Sequence, residues 1–158
     1  MTTNLDLRIS SAAPDDFDVL RRLFRRSSLS NDGDRAKLLA NPDALELSDR
    51  SVREGRARVA VTADGNIVGF VTSLVAGDGL ELEDLFVDPD WMKRGVGRAL
   101  VLDVVETARR RGYSQLEVIA NPHALGFYEK VGFVVDREVE TRFGPASRMF
   151  LAISPSAG

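Results

Sequence analysis

One stretch of the chain constrains its fold more than any other: an apolar strand that runs through a polar loop into a glycine-rich helix start. The strand ends near Val87, and the helix begins at Gly95 and Gly97. Helix N-termini carry unpaired N–H groups and a partial positive charge, and glycine lets an anion approach the backbone closely. The stretch therefore predicts an anion site, most simply for phosphate.

Two common phosphate-binding patterns are absent from this stretch. The ATP-binding pattern GxxxxGK(S/T) does not occur, and the dinucleotide pattern GxGxxG fails because Leu100 stands at the third glycine position. The glycine pair alone is equally compatible with an ordinary helix start. Three cations, Lys93, Arg94 and Arg98, favour the anion site, and Trp91 is expected to pack under the loop.

Hydrophobic periodicity predicts a mixed sheet. Asp64–Gly65 is typical of a hairpin turn, and a second turn is expected at Phe143–Gly144–Pro145. Strands are predicted near residues 5–10, 57–63, 66–75, 80–87, 115–120, 133–142 and 147–153, and helices from Pro14, over 35–40, over 96–111 and over 121–130. An antiparallel meander thus leads into a βαβ unit, which predicts an α/β fold in a single domain over residues 1–158.

The strand at 80–87 changes phase partway along. Glu81 and Glu83 alternate with leucines, but the apolar residues after Asp84 fall on the opposite phase. One extra residue around Glu83–Asp84 predicts a β-bulge, a feature common beside active sites. The alternative interpretation is an edge strand with solvated acids.

Composition excludes several kinds of function. The 158 residues include no cysteine and one histidine, His123, so a disulfide framework, a catalytic cysteine and a two-histidine metal site are excluded. The net charge of −3 argues against a broad nucleic-acid-binding face. The polar N-terminus lacks the apolar core of a signal peptide, and no apolar run is long enough to span a membrane. We expect a cytoplasmic protein that binds neither nucleic acid nor membrane.

A further stretch carries a candidate catalytic group. Asn121–Pro122 precedes a helix that contains Tyr128 and ends at Gly132. An ordinary interpretation makes Asn121 a helix cap and Tyr128 a core residue.

Together these stretches resemble the GCN5-related N-acetyltransferase (GNAT) family, most strongly across residues 80–133. The family pattern Q/R-x-x-G-x-G/A falls on the six residues 92–97, with Met92 in place of the usual Gln or Arg. The string from Arg94 to Ala99 resembles RGxGxA, and Asn121, Ala124 and Tyr128 match NxxAxxxY. The two motifs in this order are specific for the family, whereas either motif alone is not.

The resemblance implies acetyl-CoA as acyl-donor co-substrate, with no metal. It implies a splay between the strands at 80–87 and 115–120 that receives the pantetheine arm, beside backbone at Phe86 and Val87. The residues implied in cofactor binding are Phe86, Val87, Met92, Lys93, Arg94, Gly95, Val96, Gly97, Arg98, Asn121, Phe127 and Tyr128.

Acyl transfer from a thioester to an amine sets three chemical demands. The ammonium, with a pKa near about 10.4, must lose a proton. The carbonyl oxygen needs a hydrogen-bond donor, here the backbone N–H of Phe86 or Val87, and the leaving thiolate gains from a proton. Glu81 and Glu83 are both candidate bases, and the resemblance implies Tyr128 as the acid.

The acceptor stays open at this stage. A small-molecule amine is the first hypothesis, and the acidic residues Glu81, Glu83 and Asp84 would suit a cationic amine. A protein or peptide amine is the second, and a CoA-binding sensor without turnover is the third. A homodimer is possible, since dimers are common in the family that the chain resembles.

Overall fold

The computed structural model describes residues 6–155, apart from the side chain of Asp32. Within this range the strands are β1 (Leu7–Ser11), β2 (Ala57–Thr62), β3 (Ile67–Ala76), β4 (Gly79–Val87), β5 (Gln115–Ala120), β6 (Val134–Thr141) and β7 (Gly144–Ala152). The α-helices are α1 (Phe17–Leu29), α2 (Asp32–Ala40), α3 (Arg50–Arg53), α4 (Val96–Arg110) and α5 (Leu125–Val131).

The described strands form one mixed sheet in the order β1-β2-β3-β4-β5-β7-β6. The pairs β1–β2, β2–β3, β5–β7 and β6–β7 are antiparallel, and β4 runs parallel to β5. The parallel pair is joined through α4, which is the expected βαβ unit. The predicted fold class, an α/β fold built on a mixed sheet, is therefore confirmed.

The chain divides into two compact units. One contains the described residues up to Thr72 together with Asp84–Val101, and the other contains Ser73–Glu83 and the described residues from Leu102 onward. The single domain over residues 1–158 stays a prediction.

The core of the first unit forms where α1 packs on the sheet. Three residues of the apolar face of α1, namely Leu20, Leu23 and Phe24, are buried among residues of β2 and β3 such as Val59 and Phe70. Their spacing of three and four residues places them on one helix face. The sequence predicts a helix from Pro14; one turn of 3-10 helix occupies Pro14–Asp16, and α1 begins at Phe17.

The second unit is built around β5. Leu116 and Val118 on β5 are buried, as are Val104 and Ala108 on α4. A Cβ on Gly79 would clash with the carbonyl oxygen of Gln115, so only glycine lets β4 begin this close to β5.

Several element boundaries differ from the predictions. The helix expected from Asn121–Pro122 begins only at Leu125, because Asn121 first closes a turn by accepting a 3.0 Å hydrogen bond from the N–H of Ala124. The last hairpin turns at residues 142–143 rather than at 143–145, because Gly144, with a φ of 116°, already belongs to β7.

Other differences concern the N-terminal half. The predicted strand at 5–10 is β1, and its first residue, Leu5, lies outside the described residues. The expected helix at 35–40 starts earlier, at Asp32, and α3 was not predicted. The bulge near Glu83–Asp84 stays a prediction, whereas a register shift between β2 and β3 lies at Ala60/Val61.

Among the described residues, no helix is both long and apolar enough to cross a membrane.

Candidate functional site

The loop between β4 and α4 has an unusual backbone. Lys93 has a φ of 61° and Gly95 a φ of 90°, so two residues at alternate positions adopt the left-handed conformation just before α4 begins at Val96. Left-handed residues turn successive N–H groups toward a shared concavity, which is a known way to bind anions. The unpaired N–H groups of the first turn of α4 add to it.

Two of the predicted cations, Lys93 and Arg94, lie in this loop, and the third, Arg98, lies in the first turn of α4. Lys93, Arg94 and Arg98 are exposed, and Met92 is 43% exposed. The guanidinium of Arg94 lies 4.0 Å from the centre of the Trp91 ring. This cation–π contact restricts the positions that the charged end of the Arg94 side chain can adopt. Val96 is buried, so only its backbone can contribute to binding.

Asp88 anchors the start of the loop. Its N–H donates a 2.8 Å hydrogen bond to the carbonyl of Val68 on β3, and its carboxylate accepts one from the N–H of Asp90 at 3.0 Å. The same carboxylate forms an ion pair with Arg26 of α1. Arg26 was not predicted as part of the site, because nothing in the spacing of residues 26 and 88 links them.

Gly69 on β3 was missed as well. A Cβ at this position would lie 2.9 Å from Cγ1 of Val96, 3.0 Å from Cδ1 of Leu100 and 3.2 Å from the carbonyl oxygen of Phe86. The absent side chain lets the first turns of α4 approach the sheet closely. A glycine inside an otherwise apolar strand is the signal that could have revealed this contact.

Phe86 and Val87, the candidate carbonyl donors, lie at the end of β4 and are half-buried. The Phe86 ring packs edge-on against Phe24 of α1, with 4.7 Å between ring centres, and lies 5.7 Å from Phe70 of β3. These contacts fix the backbone from which the donor N–H would project.

The candidate bases belong to the second unit. Glu81 is half-buried and Glu83 is exposed. Glu81 lies opposite Glu117 of β5 in the parallel pair, and Arg148 of β7 donates a 2.8 Å hydrogen bond to Glu117. Glu81 and Glu83 were predicted from the sequence, but Glu117 and Arg148 were not. Strand pairing brings these two residues to the site, and strand pairing has no local sequence pattern.

The environment of Glu81 raises its pKa. Burial is the largest cause, and repulsion by Glu117 and then by Glu83 adds to it, while Arg148 acts in the opposite direction. A carboxylate whose pKa is raised is a stronger base when ionised. Burial and this pKa shift favour Glu81 over Glu83 as the base.

Tyr128 is buried in α5, with its ring edge-on to Phe127 at 5.1 Å and to Phe133 at 5.3 Å between centres. Desolvation raises the pKa of its phenol to about 12. The group therefore stays protonated at neutral pH, which is what a proton donor requires.

The predicted site residues thus form two sets. Phe86, Val87 and residues 92–98, which form the end of the loop and the first turn of α4, belong to the first unit, and Glu81, Glu83, Asn121, Phe127 and Tyr128 belong to the second. Among the described residues there is no group of three or more His, Asp or Glu side chains that could hold a metal ion.

Comparison with known proteins gives one family. The family profile described as "Acetyltransferase (GNAT) domain" matches residues 37–145. The glucosamine 6-phosphate N-acetyltransferase of Trypanosoma brucei brucei is 38% identical over 52 residues, 33% of this chain and 35% of that protein. The ribosomal protein bS18-alanine N-acetyltransferase of Escherichia coli K12 is 36% identical over 76 residues, 46% of this chain and 51% of that protein. This chain thus spans about half or less of the length of these curated relatives.

Solved structures agree on the fold. The PaiA N-acetyltransferase of Thermoplasma acidophilum, solved in complex with coenzyme A, has a TM-score of 0.74 at 17% identity, covering 92% of this chain and 98% of that one. The ribosomal-protein-S18-alanine N-acetyltransferase structure from Escherichia coli has a TM-score of 0.70 at 24% identity, covering 96% of each chain.

Proposed function

Since this chain belongs to the acetyltransferase (GNAT) domain family, we propose that it transfers the acetyl group of acetyl-CoA to a primary amine of a small molecule by direct attack. The observation that carries the proposal is the loop before α4. Its left-handed residues, Lys93 and Gly95, and its cations offer N–H groups and positive charge to the pyrophosphate of the donor.

We assign each of the three chemical requirements of the reaction to a residue of this chain. When bound, acetyl-CoA supplies an activated acyl group with a thiolate as leaving group. Glu81 takes the proton from the acceptor ammonium, directly or through a water molecule, so that the amine can form the new C–N bond. The N–H of Phe86 or Val87 donates to the carbonyl oxygen, and Tyr128 gives its proton to the sulfur as the C–S bond breaks.

The raised pKa of Glu81 supports its role as base. An ordinary carboxylate is too weak a base to deprotonate an ammonium well, so burial and the neighbouring Glu117 increase the driving force for proton transfer. With a pKa of about 12, the phenol of Tyr128 carries its proton at neutral pH, although it is a weaker acid than an ordinary phenol.

A second candidate is acetylation of a protein or peptide amine. It is favoured by the similarity to the Escherichia coli protein whose name specifies a ribosomal-protein alanine as its target. A CoA-binding sensor without turnover is the remaining alternative. A cytoplasmic location and a homodimer stay predictions.

Thermal melting tests the cofactor. Acetyl-CoA should raise Tm in a concentration-dependent way, because it binds only the folded state, whereas NAD or ATP should have much less effect. An unmoved melting curve at millimolar acetyl-CoA would contradict the proposal. Thiol release from acetyl-CoA against a panel of amines, amino acids and peptides then separates small-molecule, peptide and sensor functions.

A further inference from the structure

A cavity of about 510 Å³ opens beside α1, and three of the residues that line it are arginines of that helix: Arg21, Arg22 and Arg25. Residues three and four apart are neighbours on a helix surface, so Arg21 and Arg22 both lie next to Arg25 on α1. Arg21 also contacts Asp18 at 3.1 Å, but both side chains are largely exposed and such pairs are weak. The concentration of positive charge in a protein of net charge −3 is the first sign of an anionic ligand.

The rest of the lining is mostly apolar. Leu45 is only 5% exposed, and Phe17 and Leu47 are half-buried. Among the described residues of the lining, Glu46 is the one acid, against three arginines. The cavity therefore suits a ligand that carries a negative group at one end and an apolar group at the other.

The helix that lines the cavity also touches the proposed acetyl-transfer site. Phe24 of α1 packs against Phe86, whose N–H is a candidate donor to the acetyl carbonyl. Arg26 of α1 is ion-paired with Asp88, at the start of the loop that the proposed function assigns to the pyrophosphate.

We propose that this cavity binds a carboxylate of the acceptor, with the arginines holding the carboxylate and Leu45 and its neighbours receiving an apolar side chain. Guanidinium groups bind carboxylates through paired, charge-assisted hydrogen bonds, which lysine does not match. The inference rests on the proposed function and narrows its substrate class to amines that carry an acid group, such as amino acids.

The kinetic test compares acceptors with and without the acid. The common amino acids are assayed by thiol release in acid and amide form, and leucine is also compared with 3-methylbutylamine, which lacks the carboxylate. The variant is the double substitution Arg22→Gln/Arg25→Gln. The control is Arg110→Gln/Arg111→Gln, which makes the same charge change at exposed positions that do not line the cavity.

The cavity variant should lower kcat/KM for the acids by about tenfold or more, mainly through KM, because a charge-assisted contact is lost. Its kcat/KM for the amides and for 3-methylbutylamine should change less than about twofold, and the KM for acetyl-CoA should stay the same. Comparing variant with wild type for each acceptor cancels differences in amine basicity. Equal losses of kcat/KM for acids and amides, or a wild-type enzyme that acetylates only amines without a carboxylate, would overturn the proposal.

A binding measurement keeps this test separate from the proposed function. 4-Methylpentanoate has the carboxylate and apolar chain of leucine but no amine, so it cannot be acetylated. Calorimetry in the presence of CoA should show saturable binding to the wild type and to the control variant, and at least tenfold weaker binding to the cavity variant. Absence of turnover with every amine contradicts the proposed function, whereas absence of a difference between the variants in this measurement contradicts the cavity assignment.

Discussion

Arg148 on β7 donates a 2.8 Å hydrogen bond to the carboxylate of Glu117 on β5, and Glu117 lies opposite Glu81 of β4 in the parallel pair. Glu81 therefore has a negative and a positive neighbour that act on it in opposite directions. This arrangement gives the proposed base a pKa that can be moved either way by conservative substitutions.

Glu117→Gln should move the acidic limb of the kcat/KM profile to lower pH, and Arg148→Gln should move it to higher pH. Removing the negative charge lowers the pKa of Glu81, and removing the positive charge raises it. Below its pKa the base is protonated and inactive, so the limb follows that pKa. The measurement is kcat/KM for the best acceptor as a function of pH.

Kinetic measurements on variants of the two candidate bases identify which of them acts. Glu81→Gln should lose about 10²–10⁴-fold in kcat, and Glu83→Gln, at the exposed position, should lose far less. Limbs that shift in the same direction in the Glu117 and Arg148 variants would contradict the assignment of Glu81. Complete loss of activity in Glu117→Gln would transfer the role of base to Glu117.

Tyr128→Phe should lower kcat by at least about tenfold while the Kd of CoA changes only a few-fold, because general acid catalysis acts in the transition state. With the phenol pKa at about 12, the wild-type enzyme should keep its acid protonated well above neutral pH, so a basic limb at lower pH must have another source. Steady-state kinetics and CoA calorimetry on both proteins provide the measurement. An unchanged kcat would make Tyr128 a packing residue.

Gly97→Glu should abolish CoA binding in a folded protein. The new carboxylate would occupy the first turn of α4, where it would repel a pyrophosphate from the N–H groups of the loop. Calorimetry with CoA provides the measurement, and circular dichroism verifies the fold. Gly126→Glu is the matched control, because an added Cβ there meets nothing within 4 Å and the residue is exposed. CoA affinity near the wild-type value in the folded Gly97 variant would contradict the role of the loop.

Gly69→Ala should lower the free energy of unfolding by about 1–3 kcal/mol, since overpacking forces Val96, Leu100 or the backbone to shift. Gly126→Ala, inside α5 with open space around the added Cβ, should instead be stabilising by about 0.5–1 kcal/mol. Urea denaturation of the three proteins compares them. A Gly69 variant as stable as the wild type would show that α4 has room to move.

The structural features that could be predicted are those determined by residues that are close together in the sequence. The turn at Asp64–Gly65 and the helix from Val96 follow from local periodicity and turn chemistry, and both occur where the sequence places them. The helix start at Leu125 was missed because Asn121 can cap either a helix or a preceding turn, and only the backbone decides between them.

The candidate site shows the same division. The loop and its cations are continuous in sequence and were identified there. The contacts of Glu117 with Arg148 and of Arg26 with Asp88 join residues 31 and 62 positions apart, and no spacing pattern marks such pairs. The arginines of α1 were visible in the sequence, but their common cavity with Leu45 exists only once the chain is folded.

The left-handed conformation of Lys93 has a consequence for protein engineering. A side chain with a Cβ is disfavoured there by about 1–2 kcal/mol relative to a right-handed backbone, a penalty that glycine avoids. A directed-evolution campaign that selects only for heat resistance should therefore enrich Lys93→Gly. The enriched proteins would lack one of the charges that attract the acyl donor, so heat resistance and donor affinity should trade off against each other at this position.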